Sequence, residues 1–189
     1  MRRDVQIGAG VLLILAALTA CGGTQPEPQT GSEGDMTMQL ESSAFQNEGT
    51  LPQRFTCDGE DVSPSLSWSE PPAGTQSLVL IVDDPDAPGR TWDHWLLFNM
   101  PATLRSLPEG VPADGVVTGI GTHGTNSWNH LGYGGPCPPK GTTHRYFFRL
   151  YALDTTLDLG PSTNKSGLER AMKGHILAQA ELMGKYKRQ

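Results

Sequence analysis

The chain predicts a mainly antiparallel β domain, with short helices confined to its C-terminal end. Three observations carry this: apolar residues alternate with a period of two through the middle of the chain, Pro- and Gly-rich segments separate those runs, and helical periodicity appears only late.

In chain order, Thr37 to Glu41 and Leu66 to Trp68 are short strand candidates between polar loops. Ser77 to Asp84 sets Leu78, Leu80 and Val82 on one face and Val79 and Ile81 on the other, which predicts a strand covered on both sides that delivers Asp84 to its end. His94 to Asn99 repeats the pattern, with His94, Leu96 and Phe98 opposite Trp95 and Leu97. The segment from Pro101 to Gly141 is rich in Gly and Pro, with a short strand candidate at Gly115 to Gly119. A segment that long is functional or contains short elements of its own. Thr143 to Leu153 puts His144, Tyr146, Phe148 and Leu150 on one face. Ser166-Gly167-Leu168-Glu169 fits a capping box, and Leu168, Met172, Ile176, Leu177 and Ala180 form an apolar stripe interrupted at Gly174. Two short helices packed on the sheet are therefore expected.

The first residues read as an export signal. Arg2 and Arg3 precede an apolar run from Val11 to Leu18 that is too short to span a bilayer. The run ends in Leu18-Thr19-Ala20-Cys21, which resembles the bacterial lipobox. That resemblance implies cleavage after residue 20 and lipidation of Cys21 by a diacylglyceride and an added acyl chain such as palmitate, enough for stable anchoring. The competing reading is an ordinary secretory peptide with an unmodified Cys21. Residues 21–35, with Gly22, Gly23, Pro26, Pro28, Gly31 and Gly34 among polar neighbours, read as a flexible tether, and residues 36–189 as one domain.

The 189-residue chain has a formal net charge of -6, which becomes -7 once the signal is removed. No Lys/Arg cluster marks a nucleic-acid surface, and the basic run Lys185-Tyr186-Lys187-Arg188 is a short tail. With Cys21 committed to lipid, Cys57 and Cys137 are an even pair in an oxidising compartment. They either join as a disulfide bracing the rim of a pocket or remain two small free hydrophobes.

Two separated stretches carry the chemistry. Asp84-Pro85-Asp86-Ala87-Pro88 leads to Trp92-Asp93-His94, and Gly132-Tyr133-Gly134-Gly135-Pro136-Cys137-Pro138-Pro139-Lys140-Gly141 leads to His144-Arg145-Tyr146. The prolines fix φ and remove donors, so the first loop can present a carboxylate; an Asx-type turn in which Asp84 and Asp86 bond their own backbone is the plain alternative. Two strand-borne histidines, adjacent acids and a Gly/Pro loop with backbone donors make an anion site. In such a site imidazole and loop N–H groups hold oxygens, while a carboxylate orients a histidine or meets an amine. Tyr133 and Tyr146 can add hydroxyl donors, Tyr146 being favoured by sharing a face with His144, and Trp92 an apolar wall.

Asp-Pro-Asp-Ala-Pro, Trp-x-His and Gly-x-x-His-Arg-Tyr together resemble the phosphatidylethanolamine-binding protein family, with Phe55-Thr56-Cys57-Asp58-Gly59 and Cys137 before Pro138-Pro139 similar to its bacterial members. The resemblance spans Met36 to Tyr186. It implies two antiparallel sheets with peripheral helices and a small anion-binding cavity lined by Asp84, Pro85, Asp86, Trp92, His94, Cys137, Pro138, Pro139, His144 and Tyr146. The chain lacks the C-terminal extension of the eukaryotic kinase-regulating members, so kinase inhibition is not carried over.

The expected function is a membrane-tethered ligand-binding protein, exported and lipid-anchored to the bacterial cell membrane, whose cavity takes a phosphate- or carboxylate-bearing group such as a phospholipid headgroup. No cofactor, metal or catalytic residue is expected, and nucleic acid is not a partner. Two other classes compete: a protein-binding regulator or inhibitor in the cell envelope that uses the segment from Pro101 to Gly141, and a hydrolase. Against the last stand the missing His-x-x-x-His pair, Glu base and nucleophile elbow. Nothing in the sequence decides between monomer and homodimer.

Overall fold

The computed structural model describes residues 38–189. The signal, the lipidated Cys21 and the tether expected over 1–20 and 21–35 lie outside the described residues. Two antiparallel sheets form the domain. One contains β1 (Leu40–Glu41), β2 (Leu66–Trp68) and β5 (Ser106–Leu107) in the order β1-β2-β5. The other contains β3 (Ser77–Asp84), β4 (Trp92–Pro101), β6 (Val116–Val117), β7 (Gly121–His123), β8 (Thr143–Leu153) and β9 (Ile176–Lys187) in the order β6-β7-β4-β3-β8-β9.

The period-two pattern of β3 is realised as read, for every one of its residues is buried. Leu78, Leu80 and Val82 join Leu66, Trp68, Trp95 and Phe148 in the core between the sheets. Val79 and Ile81 join Leu96, Phe98, Leu168 and Met172 in a second core beneath the helix. The same alternation splits the two adjacent acids. Asp83 falls on the helix side, where Arg149 Nη1 bonds it at 2.5 Å and Lys165 Nζ also pairs with it. Asp84 falls at the sheet's end, on the opposite face.

The C-terminal expectation needs correction in two respects. One helix forms, α1 (Lys165–Met172), and its N-cap is Asn164, whose side chain accepts from Gly167 N at 2.9 Å, rather than Ser166. The second expected helix is instead β9, a 12-residue strand paired along β8 from Thr143↔Lys187 to Leu153↔Ile176. Gly174, at φ +84°, breaks the chain between them. Leu168 and Met172 reach the core, whereas Ile176 and Leu177 are exposed, so the apparent stripe is two elements read as one. The long segment from Pro101 to Gly141 does contain elements of its own, β5, β6 and β7.

This topology brings four strand termini together. β3 ends at Asp84 opposite the start of β4 (Asp84↔Trp92), β8 starts at Thr143, and β9 ends beside it (Thr143↔Lys187). The loops after β3 and before β8 are the two stretches singled out by the sequence.

Candidate functional site

At these termini lies a cavity of about 370 Å³ lined by Asp84, Ala87, Pro88, Trp92, His94, Trp128, Cys137, Pro138, Pro139, His144 and Arg188. A larger groove of about 520 Å³ near Met38 and Phe45 has only Glu41 and Glu181 as ionisable lining residues, and none of the sequence motifs reaches it.

Both histidines are buried and oriented. His94 Nδ1 donates to the Gly134 carbonyl oxygen at 2.6 Å, because a carbonyl can only accept. His144 Nδ1 donates to Asp84 Oδ2 at 2.7 Å. Each ring therefore has Nε2 as its remaining nitrogen, and neither Nε2 has a protein partner among the described residues. Burial pushes the His94 pKa down, against smaller opposing effects of the Gly134 carbonyl, Asp84 and Asp83. A neutral His94 offers a lone pair from Nε2; a protonated one offers a donor.

The loop Gly132 to Gly141 is rigid for identifiable reasons. Gly134 N donates to His94 O at 3.0 Å and Gly135 N to Asp61 Oδ1 at 2.6 Å. A Cβ on Gly134 would come 2.7 Å from Trp128 Cζ3, and one on Gly135 would come 2.4 Å from Phe55 O. The expected role of these glycine amides as anion donors is thus taken by the fold. Cys57 and Cys137 form a disulfide with Cα atoms 5.4 Å apart, tying this loop to the Cys57-Asp58-Gly59 turn.

Seven of the ten expected residues line the cavity: Asp84, Trp92, His94, Cys137, Pro138, Pro139 and His144. Three do not. Pro85 is exposed on the loop. Asp86 turns away to accept from Arg145 Nε at 2.9 Å and Nη2 at 2.7 Å, and this guanidinium holds its carboxyl below the usual carboxylate range. Tyr146 lies behind the cavity with its ring edge-on to His94, 5.2 Å between centroids, and its buried hydroxyl has no hydrogen-bond partner. Burial, and secondarily Asp84, push its pKa up. Tyr133 is likewise structural, donating to Phe55 O at 2.8 Å.

The Asx turn and the site role coexist at Asp84: Oδ1 accepts from Asp86 N at 2.8 Å while Oδ2 orients His144. Both oxygens are engaged, so no uncommitted carboxylate lines the cavity to meet an ammonium.

Trp128 and Arg188 escaped the sequence reading. Trp128 packs edge-on against both Trp92 (5.4 Å) and His94 (5.0 Å) and lines the cavity with them. Its one sequence signal is an isolated aromatic in a polar turn, Asn126-Ser127-Trp128-Asn129. Arg188 is placed by β9, whose length the sequence concealed. Among the described residues no group of three or more His, Cys, Asp or Glu stands in a metal-holding arrangement.

The profile of the phosphatidylethanolamine-binding protein family matches residues 41–187. A UPF0098 protein of Methanothermobacter thermautotrophicus is 51% identical over 151 residues, covering 80% of this chain and 99% of that protein. One from Aquifex aeolicus is 45% identical over 159 residues, covering 83% and 92%. Among solved structures, a phosphatidylethanolamine-binding protein homologue from Chlamydia trachomatis superposes with a TM-score of 0.74 at 40% identity, over 81% of this chain and 99% of the other. E. coli YbcL, described as a member of the mammalian family, gives a TM-score of 0.75 at 33% identity, over 80% and 99%.

Proposed function

This chain belongs to the phosphatidylethanolamine-binding protein family, and from that premise we propose that it is a ligand-binding protein whose cavity takes a phosphate- or carboxylate-bearing group, such as the headgroup of a phospholipid. One observation carries the reading: two buried histidines whose Nδ1 atoms are committed to protein acceptors, leaving both Nε2 atoms for the cavity. An oxyanion is held there by accepting from protonated Nε2, or by donating its own acidic hydroxyl to neutral Nε2. Either way the complex holds a shared proton at Nε2, taken up from solution only where neither the free ring nor the free anion already carries it. The sequence further supports an exported protein held at a membrane surface through Cys21, with residues 21–35 giving reach.

Calorimetric titration with inorganic phosphate and with phosphorylethanolamine tests this. Both bind, with affinities within about threefold of each other because no free carboxylate meets the amine. His94→Ala and His144→Ala each weaken binding about tenfold or more, the loss expected when a hydrogen bond to a charged group is removed. No binding of either ligand by the folded protein would reject the reading, and a strong preference for phosphorylethanolamine would reject the account of the amine.

One observation favours a second reading. Asp84 orients His144 as a carboxylate orients a general base. No Ser, Thr or free Cys lines the cavity, so water would be the nucleophile in a hydrolase of this design. Ester turnover that disappears in His144→Ala would establish it, and an inert wild type would remove it.

A further inference from the structure

We propose that Arg188, the penultimate residue of the chain, is the permanent cation that matches the ligand's charge in this cavity. The inference rests on the anion-binding reading and names the residue that reads the charge.

Its position is fixed from the backbone outward. β9 pairs with β8 as far as Thr143↔Lys187, and Gly141 N donates to Arg188 O at 2.8 Å. The last residues are therefore held beside His144 at the cavity's edge. The side chain is docked at a single nitrogen: Arg188 Nε donates to Asp58 Oδ1 at 3.0 Å. Asp58 is itself held, since its Oδ2 accepts from the Tyr186 hydroxyl at 2.8 Å and its neighbour Cys57 is bonded to Cys137 of the cavity wall. Both Nη groups of Arg188 make no hydrogen bond to protein among the described residues, while the residue lines the cavity. A guanidinium fixed at Nε with its Nη groups uncommitted is suited to an oxyanion with at least two terminal oxygens.

The other donors supply no fixed positive charge: Trp92 Nε1, buried and without a protein partner among the described residues, is neutral. The Gly134 and Gly135 amides are consumed by the His94 carbonyl and the Asp61 carboxylate. The histidines donate from Nε2 only when protonated, and Asp84 contributes negative charge. Arg188 is the one lining residue that carries positive charge at every physiological pH. Without it, no lining residue of fixed positive charge would offset Asp84.

The test titrates the full chain with inorganic phosphate near neutral pH, comparing wild type with Arg188→Gln and Arg188→Lys, with thermal unfolding as the control for folding. Arg188→Gln weakens phosphate binding by about tenfold or more and flattens its salt dependence. Arg188→Lys, keeping the charge but not the fork, falls between the two. Binding by Arg188→Gln within about twofold of wild type, in a protein where His94→Ala abolishes binding, overturns the role of Arg188 and leaves the anion site standing. Absence of phosphate binding by wild type overturns both. A loss in Arg188→Gln that Arg188→Lys does not recover at all would mean that charge is not what the residue supplies, and also overturns the proposal.

Discussion

Opening the Cys57–Cys137 disulfide is expected to destabilise the domain by about 4 to 5 kcal/mol, the loop-closure value for cysteines 80 residues apart. The bond joins two loops that otherwise meet through three hydrogen bonds, Cys57 N to Pro136 O at 3.2 Å, Gly135 N to Asp61 Oδ1 and the Tyr133 hydroxyl to Phe55 O. Releasing it frees both the Pro138-Pro139 wall of the cavity and the turn on which Asp58 holds Arg188. Stability and phosphate affinity therefore fall together. Urea unfolding with and without reductant, and of a Cys57→Ser, Cys137→Ser double variant, measures the first; calorimetry measures the second. A shift below about 1 kcal/mol would show that the two loops hold each other without the covalent link.

Replacing His123 is expected to remove most of an acid sensitivity. The ring is fully buried on β7 against Trp95, with 6.1 Å between centroids, and neither of its nitrogens has a hydrogen-bond partner. Burial lowers its pKa to about 4, with a smaller opposing pull from Asp114. The folded protein thus keeps His123 neutral where the unfolded chain, with the ordinary histidine pKa of 6.5, binds a proton. Stability is complete above pH 6.5 and falls as pH drops toward about 4, by a total on the order of 3 kcal/mol. His94 contributes in the same direction, since burial lowers its pKa also. The informative quantity is the difference between wild type and His123→Leu. The variant is expected to match or exceed wild-type stability at pH 8, because no unsatisfied ring nitrogens remain to be buried, and to lose far less on acidification. Equal pH slopes in the two proteins would contradict this.

What the sequence made legible follows from where the signal is local. β3 and β8 were readable to the residue because both alternate apolar side chains against a core on either face or on one. β9 was not. Its inward residues Ala178, Ala180, Leu182, Gly184 and Tyr186 offer little apolar contrast, and Gly184 is small because a Cβ there would come 2.7 Å from Leu51 Cγ. Leu168, Met172, Ile176 and Ala180 meanwhile fell at helical spacing across the Gly174 turn. The misreading had a consequence for the site, for a helix would have carried the C-terminus elsewhere, and Arg188 reaches the cavity only because a strand runs the full length of β8. The histidines and the prolines were legible because Gly/Pro loops and strand ends announce themselves. Motif membership points Asp86 into the cavity and a face shared with His144 points Tyr146 there, yet Arg145 takes the first and packing behind His94 takes the second.

The central claim is that anion and proton bind together between His94 and His144. The most direct test is the phosphate affinity of the wild-type chain measured from about pH 6 to about pH 8. The account predicts weaker binding at pH 8 than at pH 6, the slope steepening toward about tenfold per pH unit for each proton taken up once the free rings and the free phosphate have lost theirs. An affinity that is flat or that strengthens with pH would contradict it.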